Sequence, residues 1–89
     1  MKNIEAKKLR SEYNIIDIRS QNDYNKGHIY NAVNIPKDEL LRNYKYYLRK
    51  EETYYIYCEF GSRSRSVCEI LTMLGYDVIN VYGGYSNFK

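Results

Sequence analysis

The chain of 89 residues contains no tryptophan, two phenylalanines, a single proline, a single histidine and only two cysteines. Those two, Cys58 and Cys68, are too few for a disulfide framework, and their spacing matches no zinc-binding pattern. Both are expected to be free thiols of a reducing cytoplasm, with no metal and no cofactor implied. Long apolar runs are missing as well. The opening MKNIEAKKLRSEYNI holds no apolar core of signal-peptide length, and no later stretch is long enough to span a membrane. Secretion through an ordinary signal and a membrane partner are therefore unsupported. Nor is charge of one sign concentrated anywhere. Fourteen basic residues against 11 acidic ones give +3, and the two signs alternate through Arg42, Lys45, Arg49, Lys50, Glu51 and Glu52. A nucleic-acid binder carries a denser basic stripe, so no nucleic acid is expected, while small anionic substrates suit the mild positive balance.

What the chain does hold is 12 tyrosines. Each brings apolar area together with a hydroxyl that needs a partner, so many rings should lie half-buried with the OH at the surface. A chain of this length makes one domain and buries only about 60–65% of its unfolded surface. The initiating Met and the complete run of motifs point to a whole protein, a single domain over residues 1–89.

The order of elements is α/β. Ile4 to Arg10 suits a short helix with Asn3 as its N-cap. Asn14 to Ile18 is a β-branched apolar run bounded by polar residues, as in a buried strand. Ser20 caps a helical turn through Tyr24 that ends at Gly27, with Asp23 three residues on in a loose capping-box position. Ala32 to Ile35 is a second strand, closed by Pro36. Asp38 to Arg49 spaces Leu40, Leu41, Tyr44, Tyr47 and Leu48 as one helix. Thr53 to Tyr57 is a strand by composition. Ser64 to Leu74 carries Val67, Ile70, Leu71 and Leu74 at helical spacing and stops at Gly75. Asp77 to Val81 is the last strand, followed by a Gly83-Gly84 turn and a tail to Phe88. Such alternation predicts a mostly parallel sheet of about five short strands, with helices on both faces.

Ligands of such sheets bind outside the carboxyl ends of the strands. Cys58 stands there, directly after Thr53–Tyr57, and the next helix aims its free N–H groups back at it. Gly61 lets the intervening segment curl so that successive amides face inward and cradle an anion. Amides, a helix N-terminus and a guanidinium each favour thiolate over thiol. The chemistry this implies is attack by Cys58 on the sulfur, phosphorus or arsenic of a bound oxyanion, through a covalent intermediate.

The residues also resemble a known family. Asp17-x-Arg19, Tyr24, Gly27-His28-Ile29 and Ala32-x-Asn34-Ile35-Pro36 resemble the first half of a rhodanese homology domain. Tyr57-Cys58-x-x-Gly61-x-Arg63-Ser64 resembles its active-site loop, and Leu74-Gly75-Tyr76 with Val81-Tyr82-Gly83-Gly84 its closing segments. The resemblance implies a rhodanese-like fold and a sulfurtransferase without cofactor. Cys58 would accept sulfur from a small anionic donor such as thiosulfate, or from a persulfide. It would pass that sulfur to a thiol, cyanide or protein acceptor. Backbone amides of Glu59, Phe60, Gly61, Ser62, Arg63 and Ser64 would hold the outer sulfur, and Arg63 would brace the loop or meet the donor's charge. Four residues separate Cys58 from Arg63, the spacing the family uses for sulfur; related phosphatases and arsenate reductases use five, and Ser64 occupies that later position here.

The chain departs from the family where Tyr85 and Phe88 stand in place of tryptophans. Glu59, next to the nucleophile, should oppose a dianionic donor, and Phe60 adds an apolar rim; both favour a protein or low-molecular-weight persulfide over thiosulfate. Asp17 and Arg19 are expected to brace the cysteine loop, Asp17 by accepting backbone N–H groups. For Arg19 an ordinary ion pair, at the surface or within the chain, is the simpler expectation. His28 is expected to be structural, and Cys68 to pack in the core, a resolving thiol for Cys58 being the lesser role. A non-catalytic regulatory or docking module, or a redox sensor oxidised at Cys58, is the alternative to catalysis.

Overall fold

The computed structural model describes residues 2–89 and contains one sheet of five parallel strands, ordered β1-β5-β4-β2-β3. The strands are β1 (Lys2–Glu5), β2 (Asn14–Asp17), β3 (Val33–Asn34), β4 (Thr53–Tyr57) and β5 (Asp77–Tyr82). The helices are α1 (Gln21–Lys26), α2 (Lys37–Arg42), α3 (Tyr44–Tyr47), α4 (Ser62–Met73) and α5 (Gly84–Phe88). The mostly parallel α/β architecture expected from the element order is therefore present. β4 lies between β2 and β5, with Asp17 opposite Tyr57 in register, so the ends of β2 and β4 emerge side by side.

Alternation along the strands builds two cores. Ile16, Tyr54, Ile56 and Val78 face Leu40, Leu48, Val67, Cys68 and Leu71 of the α2, α3 and α4 side. Ile15, Tyr57 and Val81 face the other way, toward Ala6, Ile29, Ala32, Tyr24 of α1 and Tyr85 of α5. Ser20 caps α1 as expected, its hydroxyl accepting from the Asp23 amide at 3.2 Å.

Four local readings are corrected. The expected helix from Ile4 to Arg10 is instead β1 followed by a 3-10 turn, Ala6–Lys8. Its residues pair with β5 from Lys2↔Ile79 to Glu5↔Tyr82, and this distant partner supplies the hydrogen bonds a local helix would have made. Asn3 is accordingly a strand residue and caps nothing. The helix expected over Asp38–Arg49 breaks at Asn43, whose φ of −129° is not helical, leaving the shorter α2 and α3. Gly83-Gly84 does not simply turn: the tail after it winds into α5. Also, α4 begins two residues earlier than the apolar periodicity implies, at Ser62, because its first turn faces the cysteine and not the core.

Candidate active site

Cys58 leaves the end of β4 and turns under the first residues of α4. Gly61 takes the helix's cap position in the left-handed region, φ 99°, and offers no side chain to the open N–H groups there. Cys58 Sγ fills that role instead. It accepts from the Gly61 amide at 3.1 Å and the Ser64 amide at 3.3 Å, and it lies 3.5 Å from Ser64 Oγ. A β-carbon on Gly61 would sit 2.8 Å from the Gly83 amide, so only glycine lets the loop curl this tightly. Burial pushes the Cys58 thiol up. The Ser64 side chain and the amides of Ser64, Gly61 and Phe60 outweigh that effect and hold it below the ordinary thiol range.

The loop is gripped from behind by α5. Tyr85 N–H donates to the Cys58 carbonyl and Ser86 N–H to the Glu59 carbonyl, both at 2.9 Å. From the β2 side, Asp17 has no exposed surface and binds the Arg19 amide, the Arg19 guanidinium and the Tyr57 hydroxyl. Arg19 extends onward to Glu59 at 3.0 Å and to the Gly27 carbonyl at 2.6 Å, with its guanidinium 4.4 Å from the centre of the Tyr85 ring. The ion pair expected of Arg19 is thus within the chain but buried, at 7% exposed. It reaches the loop through Glu59; Arg63, expected to brace the loop or meet the donor's charge, stays exposed with no ion-pair partner among the described residues.

A cavity of about 450 Å³ opens over Cys58, lined by Ile18, Arg19, Ser20, Asp23, Glu59, Phe60, Ser62 and Arg63. Phe60 stands at its rim, 73% exposed. Glu59 is not a free negative charge there, since Arg19 pairs with it and Lys89 Nζ lies 3.9 Å from its other oxygen. A slightly larger hollow of about 520 Å³ runs along β2 and β3, but neither cysteine lines it. Among the described residues no group of three histidine, cysteine or acidic side chains is placed to hold a metal. His28 stacks on Tyr24 and binds its carbonyl at 2.8 Å, outside the cavity lining. Cys68 is fully buried in the core, which pushes its thiol up to about 12.

Sequence reasoning missed Tyr57, Asn80 and the amides of α5 in this assembly. Asn80 carried a signal, being the one amide inside the apolar run Val78-Ile79-Asn80-Val81. Its side chain meets Ser64 Oγ at 2.6 Å.

The fold and the site together define a class: an α/β domain that presents a cysteine at a strand end, with its sulfur in a cradle of helix-start amides. The Rhodanese-like domain family matches residues 2–89, and the chain belongs to that family. A thiosulfate sulfurtransferase, GlpE, of Coxiella burnetii is 33% identical over 76 residues, which span 84% of this chain and 70% of that protein. A probable molybdopterin-synthase adenylyltransferase of Porphyra purpurea is 36% identical over 78 residues. The match spans 86% of this chain but only 20% of that relative's length. A crystal structure from Staphylococcus saprophyticus subsp. saprophyticus superposes with a TM-score of 0.91 at 33% identity, covering 100% of this chain and 94% of that one.

Proposed function

We propose that the protein is a cytoplasmic sulfurtransferase that carries sulfane sulfur as a persulfide on Cys58. The observation that carries this reading is the placement of Cys58 Sγ under the Gly61 and Ser64 amides at the start of α4. The Cys58 thiolate attacks the outer sulfur of thiosulfate or of another persulfide. The donor's S–S bond breaks, sulfite or a thiolate leaves with the electron pair, and Cys58 keeps the sulfur. A thiol, cyanide or protein acceptor then attacks that sulfur, and the pair returns to Cys58. The inward-facing amides stabilise the negative charge that gathers on sulfur in both steps.

Two features narrow the substrates. The loop has four residues between Cys58 and Arg63, one fewer than the family resemblance implies for phosphatase or arsenate reductase chemistry. Glu59 shares Arg19 with Asp17 and has Lys89 nearby, so it repels a dianion less than its position implies, while Phe60 gives the rim an apolar edge that suits an organic persulfide.

The test is the intact mass of the protein after incubation with thiosulfate and, separately, with a low-molecular-weight persulfide. A gain of about one sulfur atom, removed by cyanide and absent in Cys58→Ser, is the expected result. Failure to gain sulfur from any sulfane donor would return the chain to the redox-sensing or docking reading.

A further inference from the structure

Ser64 and Asn80 are buried polar side chains, 0% and 2% exposed, and they bond to each other beside the amide cradle. Burying an amide in a central strand is costly unless its groups are bonded, and both ends of Asn80 are. Ser64 Oγ lies 2.6 Å from Asn80 Oδ1, 3.2 Å from the Gly61 carbonyl and 3.5 Å from Cys58 Sγ. Asn80 Nδ2 in turn donates to Asn3 Oδ1 at 3.1 Å, on the edge strand β1. Donors therefore run from the Cys58 thiol to Ser64, then Asn80, then Asn3, with the Gly61 carbonyl a second and longer acceptor for the Ser64 hydroxyl.

A serine hydroxyl has one proton to give. It cannot serve Asn80 and a Cys58 thiolate together, and at 2.6 Å Asn80 holds the stronger claim. We propose that Asn80 is a positioning residue for sulfur transfer, holding the Ser64 hydroxyl off Cys58 while that sulfur is a thiol or persulfide. The assignment rests on Cys58 being the carrier. When an acceptor thiolate attacks the outer sulfur, the S–S bond breaks and the electron pair stays on Cys58 Sγ. Ser64 O–H then turns from Asn80 to the new thiolate, and Asn80 Oδ1 is left without its donor. No proton enters or leaves the chain of bonds. Asn80 thus tempers how easily Cys58 departs as a thiolate.

The charged and titratable groups around Cys58 are Glu59 and Arg63 of its own loop, Arg19 from the end of β2, and Asp23 of α1. Cys68 lies behind it on α4, and Arg65 lines the hollow beside Asn80. None of them hydrogen-bonds to Ser64 Oγ or to the Asn80 amide, so a change at Asn80 reaches Cys58 through Ser64 alone.

The experiment is the pH profile of Cys58 alkylation by iodoacetamide, read as intact mass; Cys68, buried and pushed up to about 12, stays silent over the working range. Asn80→Leu should release the Ser64 proton to sulfur and move the midpoint down by about half to one pH unit, the worth of one modest hydrogen bond. Ser64→Ala should move it up, and adding Asn80→Leu to Ser64→Ala should change nothing more. Asn80→Ser, too short to reach Ser64, serves if the leucine variant does not fold, with the same downward shift expected. An unchanged or raised midpoint in the Asn80 variants, or the same shift without Ser64, overturns the assignment. A wild type that alkylates at Cys58 but never gains sulfur overturns the carrier reading instead, so the two failures are distinct.

Discussion

A carboxylate without solvent contact is tolerable only where its lone pairs are filled, and Asp17 fills them with the Arg19 amide, the Arg19 guanidinium and the Tyr57 hydroxyl. Arg19 is equally dependent on Asp17, since its remaining contacts are the Glu59 carboxylate and the Gly27 carbonyl. Removing one member strands the others in the interior. Asp17→Ala should therefore destabilise the fold by about 3–5 kcal/mol in urea titration, well beyond the loss of one ordinary hydrogen bond. The double variant Asp17→Leu/Arg19→Met should cost clearly less than the sum of its single variants, because no charge is then left unpaired. Additive losses would mean that the pair does not act as a unit. The sequence offered Asp17 and Arg19 as a brace, with an ordinary ion pair the simpler expectation for Arg19. That the brace reaches the loop through Glu59 was not legible there, because Glu59 reads alone as a free negative charge until the strand register of β2 and β4 sets Arg19 beside it.

α5 shows how an element can be unreadable and still decide the site. Five residues beginning on the second glycine of a pair carry no helical periodicity, so the segment reads as a turn and a tail. Its purpose lies in its first amides, which bind the carbonyls of Cys58 and Glu59. β1 was unreadable for a related reason: what makes it a strand is β5, far away in sequence. α4 was legible because its apolar face repeats locally, and Thr53–Tyr57 because its composition is that of a buried strand. The close approach of α5 rests on Gly84, at φ 60°, where a β-carbon would overlap the Cys58 carbonyl and lie 2.6 Å from the Glu59 carbonyl. Gly84→Ala should thus push α5 off the loop. The expected outcome is a loss of about 2 kcal/mol or more in denaturant titration. The fraction that remains folded should also gain sulfur at least severalfold more slowly in the mass assay. Normal loading in folded Gly84→Ala would show that α5 does not hold the loop.

At the scale of the whole molecule, the abundance of tyrosine sets how stability answers to pH. Half-buried rings with the hydroxyl at the surface were the expectation; Tyr30 and Tyr46 are exposed, whereas Tyr24, Tyr47 and Tyr57 each donate to an oxygen within the chain, and Tyr57 is buried with its hydroxyl. Burial, and then Asp17, push the Tyr57 hydroxyl well above the ordinary range; burial raises Tyr55; Glu39 raises Tyr47 and Glu5 raises Tyr82. Cys68, pushed up to about 12 by burial, belongs with them. An acid whose folded pKa is raised keeps its proton in the folded chain after the unfolded chain has lost it. Its contribution is complete below the unfolded value, about 8.5 for a thiol and about 10 for tyrosine, and disappears as pH climbs through the folded value. Cys58 works the other way: its lowered pKa adds stability above the unfolded value, and that part is lost as pH falls through the folded one. One thiol cannot offset another thiol together with several tyrosines, so the melting temperature should hold near neutrality and fall steeply above about pH 9. Cys68→Ala should flatten the onset of that fall, and Tyr57→Phe should flatten it above about pH 10, although each lowers stability at pH 7 by opening a small cavity or leaving the Ile29 amide unpaired. Melting curves from pH 6 to 11.5 on the three proteins decide the matter, and an alkaline slope that is the same in all of them would remove the buried thiol and phenol as its cause.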